Sequence, residues 1–161
     1  GMIKRKPKPP FTTDTMLQTA NSTLGWSISK TSGVASSLYN SGHITYIRTD
    51  STRTNKKARE SIRNHISGKL GKQYLGLGIG ESGKKKNNVQ DAHEAIRPSE
   101  PTIESAGKDV DEKKLYRLIW SRFAASQMSD SVRERRSLKF SCDGVKVPIT
   151  GTASWLSLIH I

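Results

Sequence analysis

The sequence has one cysteine, few aromatic residues and no long apolar run. Cys142 alone cannot form an intramolecular disulfide, and it excludes a zinc site built from several cysteines. Phe, Trp and Tyr make up 6% of the 161 residues, and all hydrophobic residues together make up only 33%, so the hydrophobic core must be small. No apolar stretch approaches the roughly 20 residues that span a bilayer. The basic start, Lys4-Arg5-Lys6, is followed by no apolar segment, so we expect a cytoplasmic protein without a secretory signal or a membrane partner.

Acidic residues are also scarce relative to basic ones. The 14 Asp and Glu residues face 27 Lys and Arg residues, which gives a net charge of +13. So large a positive charge favours a polyanionic partner, and nucleic acid is the first candidate. The alternative is a basic surface that only keeps the domain soluble.

The pattern of the chain predicts three parts. Residues 1–6 are basic and adjoin a run of prolines, which predicts an extended connector. Residues 7–132 carry helical patterns and form the main predicted domain. Residues 133–161 alternate with period two, which predicts antiparallel strands of a partial arch domain. The expected fold class is therefore α+β.

Within the main domain, two helices are predicted before a short strand. The first begins at a threonine cap, and the second runs from Ser29 to Gly42. From His43 apolar and polar residues alternate, which predicts a strand with Tyr46 and Arg48 on one face. A third helix is predicted after it. Helix, helix, strand is the order of a winged-helix (CAP-like) unit.

Residues 71–102 show no apolar period and predict a long loop. Loops of this length are usually functional or disordered. The run Lys84-Lys85-Lys86 makes a phosphate contact plausible, and a solvated flexible loop is the alternative.

The rest of the chain predicts a helix followed by a hairpin. Asp109 caps a helix that continues to about Met128, with a buried stripe on one face. Asp143-Gly144 lies between two alternating runs, which predicts a two-residue hairpin turn, and a further strand is expected near Ala153.

The segment Ile44-Thr45-Tyr46-Ile47-Arg48-Thr49-Asp50-Ser51 places a phenol two residues from a guanidinium. A tyrosine can attack a phosphodiester and hold the phosphate covalently, provided that a base or a positive neighbour activates a phenol whose pKa is about 10. Arg48 could hold that phosphate and offset the charge on its nonbridging oxygens. Taken alone, however, a tyrosine that alternates with isoleucine is more often a half-buried structural residue.

Several segments together resemble type IA DNA topoisomerases, in particular the bacterial topoisomerase I branch. Besides residues 44–51, the stretch Gln90-Asp91-Ala92-His93-Glu94-Ala95-Ile96-Arg97-Pro98 is similar to the second signature of that branch. The resemblance runs from about residue 8 to residue 136 and continues more weakly to the end. Three further stretches are similar: Pro10-Phe11-Thr12-Thr13, Ser36-Ser37-Leu38-Tyr39-Asn40-Ser41-Gly42 and Leu115-Tyr116-Arg117-Leu118-Ile119-Trp120.

The resemblance implies a nucleophile and the residues that assist it. Tyr46 would attack the DNA backbone and form a 5′-phosphotyrosyl link, and Arg48 would position the phosphate. His93 would assist proton or transition-state chemistry, although a lone histidine is more often structural. The other implied DNA contacts are Thr49, Ser51, Arg97, Lys84, Lys85 and Lys86, and the implied supporting residues are Asp50 and Glu94.

The resemblance also implies parts of an enzyme that this sequence does not show. The family binds Mg²⁺ through an acidic Toprim domain, and no comparable Asp/Glu group occurs here, so no metal ligand is expected in this chain. We expect a fragment, inactive alone, of a monomeric, nucleoid-associated enzyme that cuts and reseals single-stranded DNA without ATP and relaxes negative supercoils. Two alternatives stay open: a non-catalytic winged-helix module in which Tyr46 stacks on bases, and the core of a topoisomerase III or reverse gyrase.

Overall fold

The structure, a computed structural model, describes residues 1–79, 93–142 and 149–159. The chain divides into two compact units, one of Pro7–Ser129 and one made of Gly1–Lys6 and Asp130–Ile161. The predicted mixture of helices and strands is confirmed. Among the described residues, no helix is both long enough and apolar enough to cross a membrane.

The larger unit is built on four α-helices within its described residues. Each begins at a polar side chain that accepts a hydrogen bond from a backbone N–H of the first turn, as helix caps do. The predicted helices are confirmed, and the second begins at Ile28 with Ser27 as its cap, slightly earlier than predicted. The helices are α1 Thr13–Leu24, α2 Ile28–Asn40, α3 Lys56–Lys69 and α4 Val110–Ser126, with a 3₁₀ turn at Lys72–Tyr74.

The core of this unit lies where the apolar faces of the helices meet. Leu115, Ile119 and Phe123 of α4 are completely buried, as are Leu38 of α2 and Ile62 of α3. Each such side chain stabilises the fold by about 1.5–3 kcal/mol relative to an exposed one. The stripe predicted on α4 is therefore confirmed, and the helix ends at Ser126.

The chain between α2 and α3 is not the strand that the alternating pattern predicts. Ile44 makes one isolated bridge to Pro98, and the Thr45 N–H donates to the Arg97 carbonyl at 2.9 Å. Among the described residues, this pairing does not extend into a strand along the segment that follows. The strand prediction was wrong because alternation reports burial on one side, whereas a strand also needs a neighbouring strand over its whole length.

The predicted loop over residues 71–102 is partly structured. Leu75 forms a bridge with Met128, and Ile96 forms one with Phe11. The backbone of the second pair is joined by a hydrogen bond from the Ile96 N–H to the Phe11 carbonyl, 2.8 Å long. The run Lys84-Lys85-Lys86 lies outside the described residues, so its phosphate contact stays a prediction.

The smaller unit is an antiparallel sheet of three strands in the order β1–β2–β3. Residues 1–6, predicted as a connector, contain β1, whose Met2 pairs with Glu134. The prediction missed this strand because its partner lies far away in the sequence. The strands are β1 Met2–Arg5, β2 Ser131–Cys142 and β3 Ile149–Ile159.

The register of β2 and β3 differs from the predicted hairpin. A two-residue turn at Asp143-Gly144 would place Val145 opposite Cys142. In the structure Cys142 pairs with Ile149, and the further strand predicted near Ala153 lies within β3. The predicted turn and the run from Val145 to Val147 lie outside the described residues. The register of the two strands is that of a continuous ladder from Val132 to Cys142.

Candidate active site

Tyr46 lies at the surface of the larger unit, beside a small cavity. Its side chain is 48% exposed, and the cavity has a volume of about 250 Å³. Thr49, His93 and Glu94, which the sequence places in two separate segments, line the same cavity. The full set of lining residues is Tyr39, Thr45, Tyr46, Thr49, His93 and Glu94.

The first turn of α1 holds the chain that follows Tyr46. Thr13 Oγ1 donates to the Ile47 carbonyl at 2.7 Å and accepts from the Thr49 N–H at 2.9 Å. The Thr13 N–H also donates to the Thr49 carbonyl at 2.9 Å. The hydrogen bonds of Thr13 thus replace those that a neighbouring strand would make in a sheet. They fix the backbone on both sides of Arg48.

Arg48 and Asp50 extend from this fixed backbone into solvent. Both side chains are exposed. Within the described part of the chain, neither forms a hydrogen bond or an ion pair. Arg48 is not one of the residues that line the cavity. The Arg48 guanidinium is therefore free to bind an external anion, and Arg48 lies two residues after Tyr46 in the sequence.

The hydroxyl groups of Thr49 and Ser51 shape the following turn. Thr49 Oγ1 accepts from the Ser51 N–H at 3.0 Å, and Ser51 Oγ accepts from the Arg53 N–H at 3.2 Å. Because a hydroxyl can accept and donate at once, both groups keep a proton that can be donated to a phosphate oxygen.

Thr45 connects the tyrosine segment to the segment that carries His93 and Glu94. Thr45 Oγ1 donates to the Ala95 carbonyl at 2.7 Å and accepts from the Arg97 N–H at 3.0 Å. These bonds hold the two segments side by side, which explains why His93, itself exposed, lies at the same cavity as the tyrosine.

Arg97 is buried and holds Glu94. It is 8% exposed, and its Nη2 donates to Glu94 Oε2 at 2.7 Å while its Nη1 donates to the Pro98 carbonyl at 2.9 Å. Glu94 Oε1 and Arg97 Nε are buried without a partner among the described residues. The guanidinium therefore orients Glu94, and a direct contact of Arg97 with DNA stays a prediction.

The sequence patterns did not single out Tyr39 for the site. Its ring centroid lies 5.4 Å from that of Tyr46, with 65° between the ring planes. Between them Gly42 adopts a φ of 77°, a conformation that favours glycine, and its N–H donates to the Tyr39 carbonyl at 2.9 Å. The sequence feature that could have indicated Tyr39 is its position seven residues before Tyr46, with Gly42 between the two tyrosines.

A larger groove, of about 550 Å³, lies elsewhere on the unit. Leu24, Val110 and Leu118 supply apolar lining, and Lys113 and Arg117 supply positive charge. None of the residues predicted for the site lines it. Size alone therefore does not identify the site, and the smaller cavity is the one that Tyr46, the predicted nucleophile, lines.

The described residues do not fit a magnesium site. Among them, no group of three or more His, Cys, Asp and Glu side chains is placed to hold a metal ion. The cavity offers one carboxylate, Glu94, and Arg97 binds one of its oxygens. Mg²⁺ prefers several oxygen ligands in an octahedral arrangement, which these side chains do not provide.

Comparison with known proteins identifies the family. Residues 2–156 match the family model described as DNA topoisomerase. The chain belongs to this DNA topoisomerase family. The resemblance that the sequence motifs indicate is therefore confirmed.

The relatives include bacterial topoisomerases of much greater length. The chain is 45% identical to DNA topoisomerase 1 of Thermotoga maritima, over 92% of this chain and 25% of that protein. It is 39% identical to DNA topoisomerase 1 of Escherichia coli, over 91% of this chain and 17% of that protein. The crystal structure of full-length topoisomerase I from Thermotoga maritima matches 99% of this chain and 26% of that one, with a TM-score of 0.73 and 37% identity. The chain thus spans about a quarter or less of the length of these topoisomerases.

Proposed function

We propose that this chain carries the nucleophile of a type IA DNA topoisomerase, which cuts and reseals one DNA strand. The observation that supports this most is the half-exposed phenol of Tyr46 at a cavity shared with His93 and Glu94. A tyrosine with a purely structural role would be expected to resemble Tyr116, which is 1% exposed and donates its hydroxyl to the Ile103 carbonyl.

The proposed reaction exchanges one phosphate ester bond for another. The Tyr46 oxygen bonds to phosphorus while the bond to the 3′ oxygen breaks, so the 5′ side of the break stays on the protein. The phenolic proton passes to a base, and the 3′ oxygen takes up a proton and leaves as a hydroxyl. Arg48 stabilises the charge on the nonbridging oxygens, and His93 assists proton transfer. Attack by the 3′ hydroxyl reverses the reaction, so resealing needs no ATP.

We also propose, for the full-length parent, the finer features that the resemblance implies. The full-length parent would be a monomer that acts on single-stranded DNA, relaxes negative supercoils and works on the nucleoid in the cytoplasm. Its Toprim domain would supply Mg²⁺. Residues 7–132 would form the winged-helix-like domain that carries the tyrosine. The net charge of +13 supports a DNA partner, and we expect residues 1–161 alone to bind single strands weakly without relaxing plasmid.

Covalent labelling of the full-length parent tests the proposal. An oligonucleotide labelled at its 3′ end should leave its label on the denatured protein, whereas a 5′ label should be released. Tyr46→Phe should abolish the labelled adduct but retain DNA binding, and Tyr74→Phe, at a tyrosine that does not line the cavity, should behave as wild type. No adduct with the wild-type parent would support a DNA-binding module instead, and retention of the 5′ label would contradict the proposed polarity.

A further inference from the structure

Tyr39 and Tyr46 form an exposed aromatic pair at the cavity. Their ring centroids are 5.4 Å apart at 65°, and the residues are 40% and 48% exposed. An edge-to-face pair covers only one of its four ring faces, so aromatic surface stays open to a ligand. The core does not need Tyr39, because the buried residues of α2 are Thr31, Ala35 and Leu38.

The cavity beside the pair suits a single flat group joined to a phosphate. Its volume of about 250 Å³ lies below the roughly 300–1,000 Å³ of pockets for drug-sized ligands. The Thr49 hydroxyl lines it and can donate to a phosphate oxygen. Nucleobases stack on aromatic faces whatever their sequence, and their phosphates are attracted by the positive charge of this chain.

We propose that Tyr39 forms a base-stacking subsite that holds a nucleobase of the cleaved strand next to the phosphate attacked by Tyr46. The inference rests on the proposed function of Tyr46. A base stacked on Tyr39 restrains its nucleotide beside Tyr46, which improves the alignment of the phosphate with the Tyr46 phenol. The glycine turn at Gly42 sets the position of the ring, because it folds the chain back from Tyr39 toward Tyr46.

Fluorescence of 2-aminopurine tests the subsite in the full-length parent. Single-stranded oligonucleotides carry this base at one position on either side of the cleaved bond, and stacking on tyrosine quenches its emission. Wild type, Tyr39→Phe and Tyr39→Trp should all quench at one of these positions. Tyr39→Leu should lose the quenching and bind the oligonucleotide about tenfold more weakly. Its KM for cleavage should rise more than its rate at saturating DNA falls.

Ile28→Ala is the matched control. Ile28 is also exposed and lies in the same helix, ~16 Å from Tyr39 by the rise of an α-helix. This variant should bind and quench as wild type does. Wild-type quenching and affinity in Tyr39→Leu would overturn the proposal. So would a Tyr39→Leu variant that changes only the saturating rate, because Tyr39 would then act solely through the ring of Tyr46.

Tyr46→Phe separates the two proposals. If both are right, it keeps the quenching at Tyr39 and forms no adduct. If the wild-type parent forms no adduct, the catalytic role of Tyr46 is refuted, whereas the comparison of Tyr39→Leu with Tyr39→Phe still decides whether a base stacks on this ring.

Discussion

Two regions of the larger unit use the same kinds of side chain in opposite ways. Around Glu104 the charged groups bind one another: its carboxylate accepts from His65 at 2.8 Å, from Lys69, and from Arg117 at 3.4 Å. Around Tyr46 a histidine and an arginine stay exposed. Residue type therefore does not separate structural from functional groups. What separates them is whether the chain itself supplies their partners.

The tyrosines of the two regions show the same difference. Tyr116 packs in the core, and burial raises its pKa to about 12, with a smaller contribution from the charge of Glu100. Such a phenol stays protonated and serves as a hydrogen-bond donor. Tyr46 is half exposed, so its hydroxyl can reach a phosphate. Burial thus removes one phenol from phosphate chemistry and leaves the other available for it.

The largest effect is expected when the exposed arginine of the site is removed. Arg48→Ala in the full-length parent should lower the single-turnover cleavage rate about 10²–10³-fold, as does the loss of one transition-state donor in other enzymes. Its thermal unfolding should not change, because Arg48 has no partner among the described residues. Arg117→Ala is the control: it removes contacts to Glu104 and to the Trp120 ring, so it should leave cleavage unchanged and lower stability slightly. If Arg48→Ala were destabilised, Arg48 would have a structural role like that of the charged groups around Glu104, and the distinction between the two regions would be wrong.

The second prediction concerns the structural pair inside the site. Arg97→Ala leaves the Glu94 carboxylate partly buried without its partner, which should cost about 2–4 kcal/mol of local stability. Hydrogen exchange at the amides of Ala95 and Arg97 in the parent measures this cost. Arg97→Lys keeps the charge and should cost less. Unchanged exchange in Arg97→Ala would mean that this pair does not hold the cavity wall.

Local signals could predict the helices but not the contacts between distant segments. The caps and apolar stripes of α1 to α4 lie within single stretches of sequence, so their pattern is visible there. The strand β1 and the pairing of Ile44 with Pro98 depend on partners far along the chain. The same holds for the site: Tyr46 and His93 could be named by resemblance, whereas the roles of Thr13 and Tyr39 follow only from the folded arrangement.

A third prediction tests that folded arrangement at Thr13. Thr13→Val keeps the shape of the side chain but removes the bonds of its hydroxyl to the Ile47 carbonyl and the Thr49 N–H, which should cost about 1 kcal/mol. The Thr49 amide should exchange faster, and cleavage should slow by several-fold because the backbone around Arg48 is less restrained. Thr19→Val, in the same helix, is the control. Equal effects of the two substitutions would show that the loss is one of helix stability and not of positioning.

The smallest effect is expected from the pH dependence of the Glu104 cluster. Hydrogen bonds from Lys69 and then His65 lower the pKa of Glu104 from 4.5 to about 2. A carboxylate with a lowered pKa in the folded state stabilises the fold fully above its unfolded pKa, and this stabilisation is lost as the pH falls from about 5 to 2. Since the side chain is 28% exposed, we expect a loss of only about 1 kcal/mol.

Glu104→Gln isolates this contribution, because an amide does not titrate. The difference in unfolding temperature between wild type and the variant should shrink as the pH falls through that range. Hydrogen exchange at the Tyr46 segment should be the same in both proteins at every pH, since Glu104 does not line its cavity. If Glu104→Gln instead changed exchange at Tyr46, the paired cluster would support the site, and the two regions would be one cooperative unit.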